Sequence, residues 1–103
     1  ARVELLFGAA RNDGTAVTNA DWQAFLFEEV TPRFPDGLTV HDAYGQWRDA
    51  SGSIERSASR VLLIWYAPSD HTDAEIDAIR DAYKTRFEQA SVMRVDGTDC
   101  VSF

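Results

Sequence analysis

The side chains that most often carry out acid–base chemistry are few in this chain. Its two histidines are His41 and His71. His41 is followed directly by Asp42 in a stretch that alternates like a strand, so the two side chains point to opposite faces and cannot pair directly. His71 precedes a helix cap and is interpreted as a solvated loop residue. His41, together with Tyr44 and Arg60, is kept as a candidate for catalysis, and the balance favours a protein without catalytic activity.

The sequence predicts no metal and no cofactor. Its single cysteine, Cys100, excludes an internal disulfide and a cysteine-based metal cluster. Asp96 and Asp99 lie nearby and disfavour a reactive thiolate. The acidic stretch DHTDAE, residues 70–75, lacks the ligand spacing and the central glycine of a calcium loop, and a helix start explains it.

The loop GAARNDG, residues 8–14, joins a predicted strand to a predicted helix, a place where anions can bind. It contains Gly8, Arg11, Asn12 and Gly14 but neither of the glycine-rich phosphate signatures. An ordinary turn is therefore the preferred interpretation.

Length and charge narrow the class of protein. The 103 residues predict a single domain that spans residues 1–103. The net charge of -7 argues against binding to nucleic acid or to an anionic membrane surface. No segment approaches the roughly 20 apolar residues that a membrane-spanning helix needs.

The hydrophobic periodicity predicts four strands and two helices. The helix signals are Thr18 with Asp21 as a first cap, and Thr72 with Glu75 as a second capping box. Apolar stripes at helical spacing follow both caps, and Pro32 ends the first helix near Thr31. The predicted elements are a strand at 2–9, a helix at 18–31, a strand at 38–48, a hairpin connection at 49–53, a strand at 54–67, a helix from 72 onward and a strand at 91–97.

The order β-α-β-β-α-β predicts an α+β, ferredoxin-like split βαβ fold. Right-handed crossovers would place both helices on one face of a four-stranded antiparallel sheet. The first and third strands are then central, and the other face of the sheet is uncovered within one copy of the chain.

The third strand contains RVLLIWYAPSD, residues 60–70, in which six consecutive residues are apolar or aromatic. A half-buried strand should alternate, so something must cover its second face. Either residues 98–103 fold over that face, with Val101 and Phe103 supplying the contact, or the face packs against a second copy or another protein, as in a dimeric α/β barrel. Association is favoured, because an uncovered apolar sheet face is rare in monomers. The predicted contact or ligand residues are Leu6, Trp47, Leu62, Ile64, Trp65 and Tyr66, and the parity of the third strand is left undecided.

Four segments resemble a bacterial family known as domain of unknown function number 3574. They are DWQAF at 21–25, VTPRFPDGLTV at 30–40, YGQWRD at 44–49 and SRVLLI at 59–64. The resemblance covers nearly the whole chain and supplies no catalytic residues. It implies an exported, periplasmic or cell-surface location, and a cytoplasmic one is not excluded.

The sequence thus leads to two hypotheses about function. The first is a non-catalytic binding or interaction domain that forms a homodimer, or binds another protein, through the open sheet face. The alternative is a small cofactor-free enzyme or a protein that binds a small apolar ligand, of the dimeric α/β-barrel type, acting in an oxidation or an isomerisation.

Overall fold

A computed structural model describes residues 1–11 and 13–103. Asn12, which belongs to the loop considered above as an anion site, lies outside the described residues. The elements are β1 (Arg2–Gly8), α1 (Asn19–Phe25) with a π-helical continuation (Leu26–Val30), β2 (Thr39–Arg48), β3 (Ile54–Trp65), α2 (Asp70–Arg86) and β4 (Met93–Gly97).

The four strands form one antiparallel sheet in the order β2-β3-β1-β4. The two central strands are β1 and β3, as the sequence predicted. The predicted α+β class with a four-stranded antiparallel sheet and two helices is confirmed.

The first helix begins as predicted and ends differently. Thr18 Oγ1 accepts a hydrogen bond from the Asp21 N–H, and Asp21 Oδ2 accepts one from the Thr18 N–H. The capping box is therefore complete. From Leu26 the helix widens, and the Thr31 N–H donates to the Leu26 carbonyl five residues back. The widened turn keeps Leu26 and Val30 in the core and leaves Phe27 exposed.

The predicted N-cap of the second helix was wrong by three residues. Ser69, not Thr72, is the N-cap, and Thr72 takes the third helical position of the box. Ser69 Oγ accepts from the Thr72 N–H, while Thr72 Oγ1 accepts from the Ser69 N–H. Both residues can fill a capping role, and the extended backbone at Ser69 decides which one does.

The core lies between the helices and one face of the sheet. Its centre is an aromatic cluster in which Phe7 packs at 5.0 Å from Trp22 and 4.6 Å from Tyr83, measured between ring centroids. Phe25 and Phe87 extend the cluster along the two helices. Because β1 and both helices contribute rings, this cluster fixes the helices over the sheet.

A two-stranded ribbon extends beyond the body of the domain. The pairing of β1 with β3 ends at Gly8 and Ser59, whereas β2 and β3 stay paired out to Arg48 and Ile54. We call residues 44–48 and 54–58, with their connection 49–53, the ribbon. It makes the molecule elongated, with extents of 44 × 26 × 24 Å.

The buried tyrosine of the core provides a test of the packing through pH. Burial raises the pKa of Tyr83 to about 12, although the positive charges of Arg60 and Arg11 oppose the shift. Its hydroxyl donates to the Gly8 carbonyl. Because the pKa in the folded state exceeds that of about 10 in the unfolded chain, the stabilisation is complete below pH ~10 and is lost as pH rises towards 12. We expect urea denaturation to show a loss of about 2 kcal/mol over that interval.

Tyr83→Phe is the control for this titration, because it removes the ionising group and keeps the ring. The variant should start less stable by about 1–2 kcal/mol, since the Gly8 carbonyl loses its donor. Its stability should then fall less between pH ~10 and 12 than that of the wild type. Parallel pH profiles for the two proteins would contradict this assignment.

Candidate functional site

The face of the sheet away from the helices is the first candidate surface. The register of the strands assigns its residues, which we call the open face. They are Arg2, Glu4, Leu6 and Gly8 of β1; Thr39, His41, Ala43, Gly45 and Trp47 of β2; Glu55, Ser57, Ser59, Val61, Leu63 and Trp65 of β3; and Met93, Val95 and Gly97 of β4.

The alternation of residues along β3 shows that two of the predicted contact residues face the helices. Leu62 and Ile64 are fully buried opposite Leu5 and Val3 on the helix side, so neither can contact a partner. The alternate residues, Val61, Leu63 and Trp65, lie on the open face instead.

The other predicted contact residues do not all lie on the open face. Tyr66 is half-buried against the core, and its ring lies 6.2 Å from that of Phe34, so it is not an open-face residue. Leu6, Trp47 and Trp65 do lie on the open face, Trp47 and Trp65 with 52% and 44% of their surface exposed. β2 and β3 pair without interruption, so no bulge turns Trp47 to the other side.

The C-terminal residues 98–103 cover little of this face. The Asp99 carboxylate accepts a bond from Arg2 Nε at 2.7 Å, which brings the tail to one edge of the open face. Beyond it Val101 is half-exposed and Phe103 is fully exposed. The tail therefore does not supply the cover that the first of the two sequence interpretations required.

The three candidate catalytic residues fall on two faces. His41 is exposed on the open face, whereas Tyr44 and Arg60 belong to the helix side of β2 and β3. Arg60 lies over the Trp22 ring at 5.5 Å, and its Nη1 donates to the Val17 carbonyl at 3.1 Å. Tyr44, in the ribbon, is 89% exposed. The sheet thus separates His41 from the other two, and they do not form a constellation.

Charge is distributed unevenly between the two sides of the molecule. Within the strands, the open face has two carboxylates, on Glu4 and Glu55, and one guanidinium, on Arg2, which pairs with Glu4 at 2.9 Å. On the other side, α2 carries the acidic side chains Asp73, Asp77 and Asp81, each of which lies within 3.2 Å of a cationic side chain. The open face is therefore nearly neutral in a chain with a net charge of -7.

A cleft of about 470 Å³ opens at one corner of the open face, and we call it the corner cleft. The end of β1, the ribbon, the loop after β1 and the segment before β4 surround it. Its lining residues are Leu6, Gly8, Ala10, Arg11, Trp47, Ser57, Gln89, Ala90, Ser91 and Met93. None of these described residues has a carboxylate or an imidazole side chain.

Two further properties of the described chain bear on its function. In residues 1–11 and 13–103 no three His, Cys, Asp or Glu side chains are grouped so that they could hold a metal ion. Within the same ranges no helix has the length and apolar character to cross a membrane.

A family model described as "Protein of unknown function (DUF3574)" matches residues 2–103. This chain belongs to the DUF3574 family. The resemblance seen in the four sequence segments is thereby confirmed. No curated protein matches the DUF3574 chain.

The fold of the DUF3574 chain is similar to that of a phage SAM lyase. The lyase in complex with S-methyl-5'-thioadenosine matches with a TM-score of 0.71 and 14% sequence identity, over 90% of this chain and 76% of the lyase. Its apo state matches with a TM-score of 0.67 and 13% identity, over 90% of this chain and 75% of the lyase. At these identities the likeness concerns the fold.

Several residues of the open face were not found from the sequence. Met93 and Val95 of β4 and Val61 and Leu63 of β3 lie on the open face but were not named. Leu63 belongs to the apolar run that the sequence analysis assigned to the third strand. The sequence did not show which of the alternating residues, Leu62 or Leu63, faces outward. Two residues of the corner cleft, Gly8 and Arg11, were considered in the sequence analysis as part of a possible anion-binding loop. Gln89 was not, because it reaches the cleft from a distant part of the chain.

The parity of β3 can be tested by a pair of adjacent leucines. Leu62→Ala should lower the free energy of unfolding by about 2–5 kcal/mol, because it leaves a cavity in a closed core. Leu63→Ala should cost less than about 1 kcal/mol at dilutions where the chain is monomeric, because Leu63 faces outward. Urea denaturation measures both, and equal losses would contradict the register.

Proposed function

We propose that this DUF3574 domain is an interaction module whose open face packs against a second copy of the same chain. The observation that carries the proposal is an apolar sheet face that neither the helices nor residues 98–103 cover. Leu63, Trp65, Met93 and Val95 are prominent on it, and all four are at least partly exposed. Burying a large apolar side chain contributes about 1.5–3 kcal/mol before the costs of association.

The ribbon provides a second reason to expect a partner. A two-stranded antiparallel ribbon is marginally stable in water when nothing packs on it. This one presents Trp47 on one face and Tyr44 and Ile54 on the other, each more than half exposed. Contact with a second copy through the open face would pack on the Trp47 side of the ribbon and order it.

The size of the face suits an interface between two copies. Three strands with seven residues each in the body of the sheet and the five-residue β4, spaced about 4.8 Å apart, present roughly 400 Å² in projection. The ribbon adds about 150 Å². Because side chains roughen the surface, its accessible area exceeds its projected area. A standard interface buries about 800 Å² on each partner, so the open face is in the range of a stable dimer.

Charge favours a second copy over an acidic or basic partner. Two chains of net charge -7 repel one another, and the repulsion is smallest where the facing surfaces are nearly neutral. The open face meets that condition, because its Arg2 is neutralised by Glu4 and Asp99. A strongly charged partner would find no complementary charge there.

A charge placed in the centre of the open face tests this proposal. Light scattering and native mass spectrometry should show the wild type as an oligomer at micromolar concentration. Leu63→Lys should raise the dissociation constant by at least about a hundredfold, because an ammonium group would be buried at the interface. Leu63 lies close to Glu4 on the neighbouring strand, so the monomer can accommodate the new charge.

Phe27→Lys is the matched control. Phe27 is apolar, 77% exposed and on the helix side, and the variant changes the net charge by the same amount. It should leave the oligomer intact. A wild type that stays monomeric at micromolar concentration, or equal dissociation of both variants, would refute self-association through the open face.

A cofactor-free enzyme is the second candidate function, and one observation favours it. The fold is shared with a phage SAM lyase across 90% of the chain. The separation of His41 from Tyr44 and Arg60 argues against an acid–base site built from these three residues.

The enzymatic alternative has a direct assay. The purified chain is incubated with SAM, and the remaining SAM is followed by mass spectrometry. Consumption that exceeds the spontaneous loss in buffer, and that scales with protein concentration, would establish the enzyme. We expect no such consumption if the domain is an interaction module.

Export of the domain stays a prediction that rests on the family resemblance.

A further inference from the structure

We infer that the corner cleft binds a small planar aromatic molecule that carries an anionic group. This inference goes beyond self-association, because it concerns a cavity that a single copy of the chain already forms. Its volume of about 470 Å³ lies within the range of about 300–1,000 Å³ that is usual for small-molecule sites.

The walls of the cleft suit an aromatic ring. Trp47 contributes an indole from the ribbon, and Met93 and Leu6 contribute apolar side chains from adjacent strands. Indole rings stack on planar ligands, and a methionine sulfur makes favourable contacts with aromatic rings. Trp47 is 52% exposed in the absence of a ligand, so stacking would bury apolar surface that now faces water.

The anion preference comes from Arg11 at the rim. Arg11 Nη1 donates to the Ala16 carbonyl at 2.7 Å, and the guanidinium lies 5.4 Å from the centroid of the Phe87 ring. These contacts position the guanidinium before any ligand arrives. Asp21 approaches Arg11 Nη2 at 3.5 Å from outside the cleft lining, so a ligand carboxylate or phosphate would share the guanidinium with it.

Gly8 leaves the floor of the cleft open. A Cβ at this position would lie 2.9 Å from Gln89 Oε1. The Gln89 amide cannot easily move away, because its Nε2 donates to the carbonyls of Ala10 at 2.7 Å and Phe87 at 3.0 Å. A methyl group at Gly8 would therefore occupy ligand space and disturb the amide.

Three probes separate the two parts of the inferred recognition. Adenosine 5'-monophosphate has a planar ring and an anion, adenosine has the ring alone, and ribose 5-phosphate has the anion alone. Isothermal titration calorimetry on the Leu63→Lys monomer, in which no second copy covers Trp47 and Met93, should show adenosine 5'-monophosphate binding at least about tenfold more tightly than either other probe. Equal affinities of adenosine and adenosine 5'-monophosphate would overturn the anion preference, and no binding of any probe at millimolar concentration would overturn the site.

Variants locate the binding in the cleft. Gly8→Ala should weaken adenosine 5'-monophosphate by at least about tenfold. Gly45→Ala is the matched control, because Gly45 is also an open-face glycine, and a Cβ there meets nothing within 4 Å. Arg11→Gln should reduce the affinity for adenosine 5'-monophosphate to that for adenosine and leave adenosine unchanged.

The controls keep this result separate from the oligomer. Thermal unfolding and light scattering verify that each cleft variant, made in the Leu63→Lys background, is folded and monomeric. Equal affinity in the Gly8 and Gly45 variants would refute the placement of the site. Leu63 lies outside the cleft lining, so the probes test the cleft whether or not the wild-type chain self-associates.

Discussion

The structure depends on one constraint: a strand has two faces, and the two helices of this domain cover only one of them. On the covered face Val3 and Leu5 lie opposite Ile64 and Leu62, and all four side chains are buried. On the other face the same strands present Leu6, Val61, Leu63 and Trp65. The continuous apolar run of β3 is therefore two interleaved surfaces, one that folds the domain and one that is available for association.

Arg60 lies at the boundary between the body and the ribbon. It lies opposite Phe7 on β1, and it extends over the Trp22 ring while donating to the Val17 carbonyl. A guanidinium can occupy this nearly buried position because the ring face and the carbonyl both favour a cation. Its role in the structure is to close the end of the aromatic core. Beyond it the strands continue without helices to cover either side, and this accounts for the exposed aromatic side chains of the ribbon.

The sequence was sufficient for the elements, their order and the class of fold, because periodicity and caps are local signals. It was not sufficient for the capping residue of α2, since Ser69 and Thr72 can each cap a helix and backbone geometry decides between them. It could not choose the parity of β3 either. Six apolar residues in a row offer no polar marker of the outer face, so Leu62 and Ile64 were grouped with Trp65 although they belong to the core. The corner cleft was least accessible, because it joins Gly8, Trp47 and Gln89 across three separate parts of the chain.

The placement of charge completes the argument for the open face. Arg94 lies on the helix side of β4 and pairs with Asp73 and Asp77 of α2, which holds that acidic helix against the sheet. Hydrogen bonds from Arg80 and Arg94 outweigh the effect of burial and hold the pKa of Asp77 below its ordinary value, so this carboxylate stays ionised at neutral pH. The helix side of each copy thus presents many ionised, paired groups, which would lose their hydration if another copy covered them. In the proposed dimer, two copies remove the fewest charged groups from water, and bury the most apolar surface, when their open faces are turned towards each other.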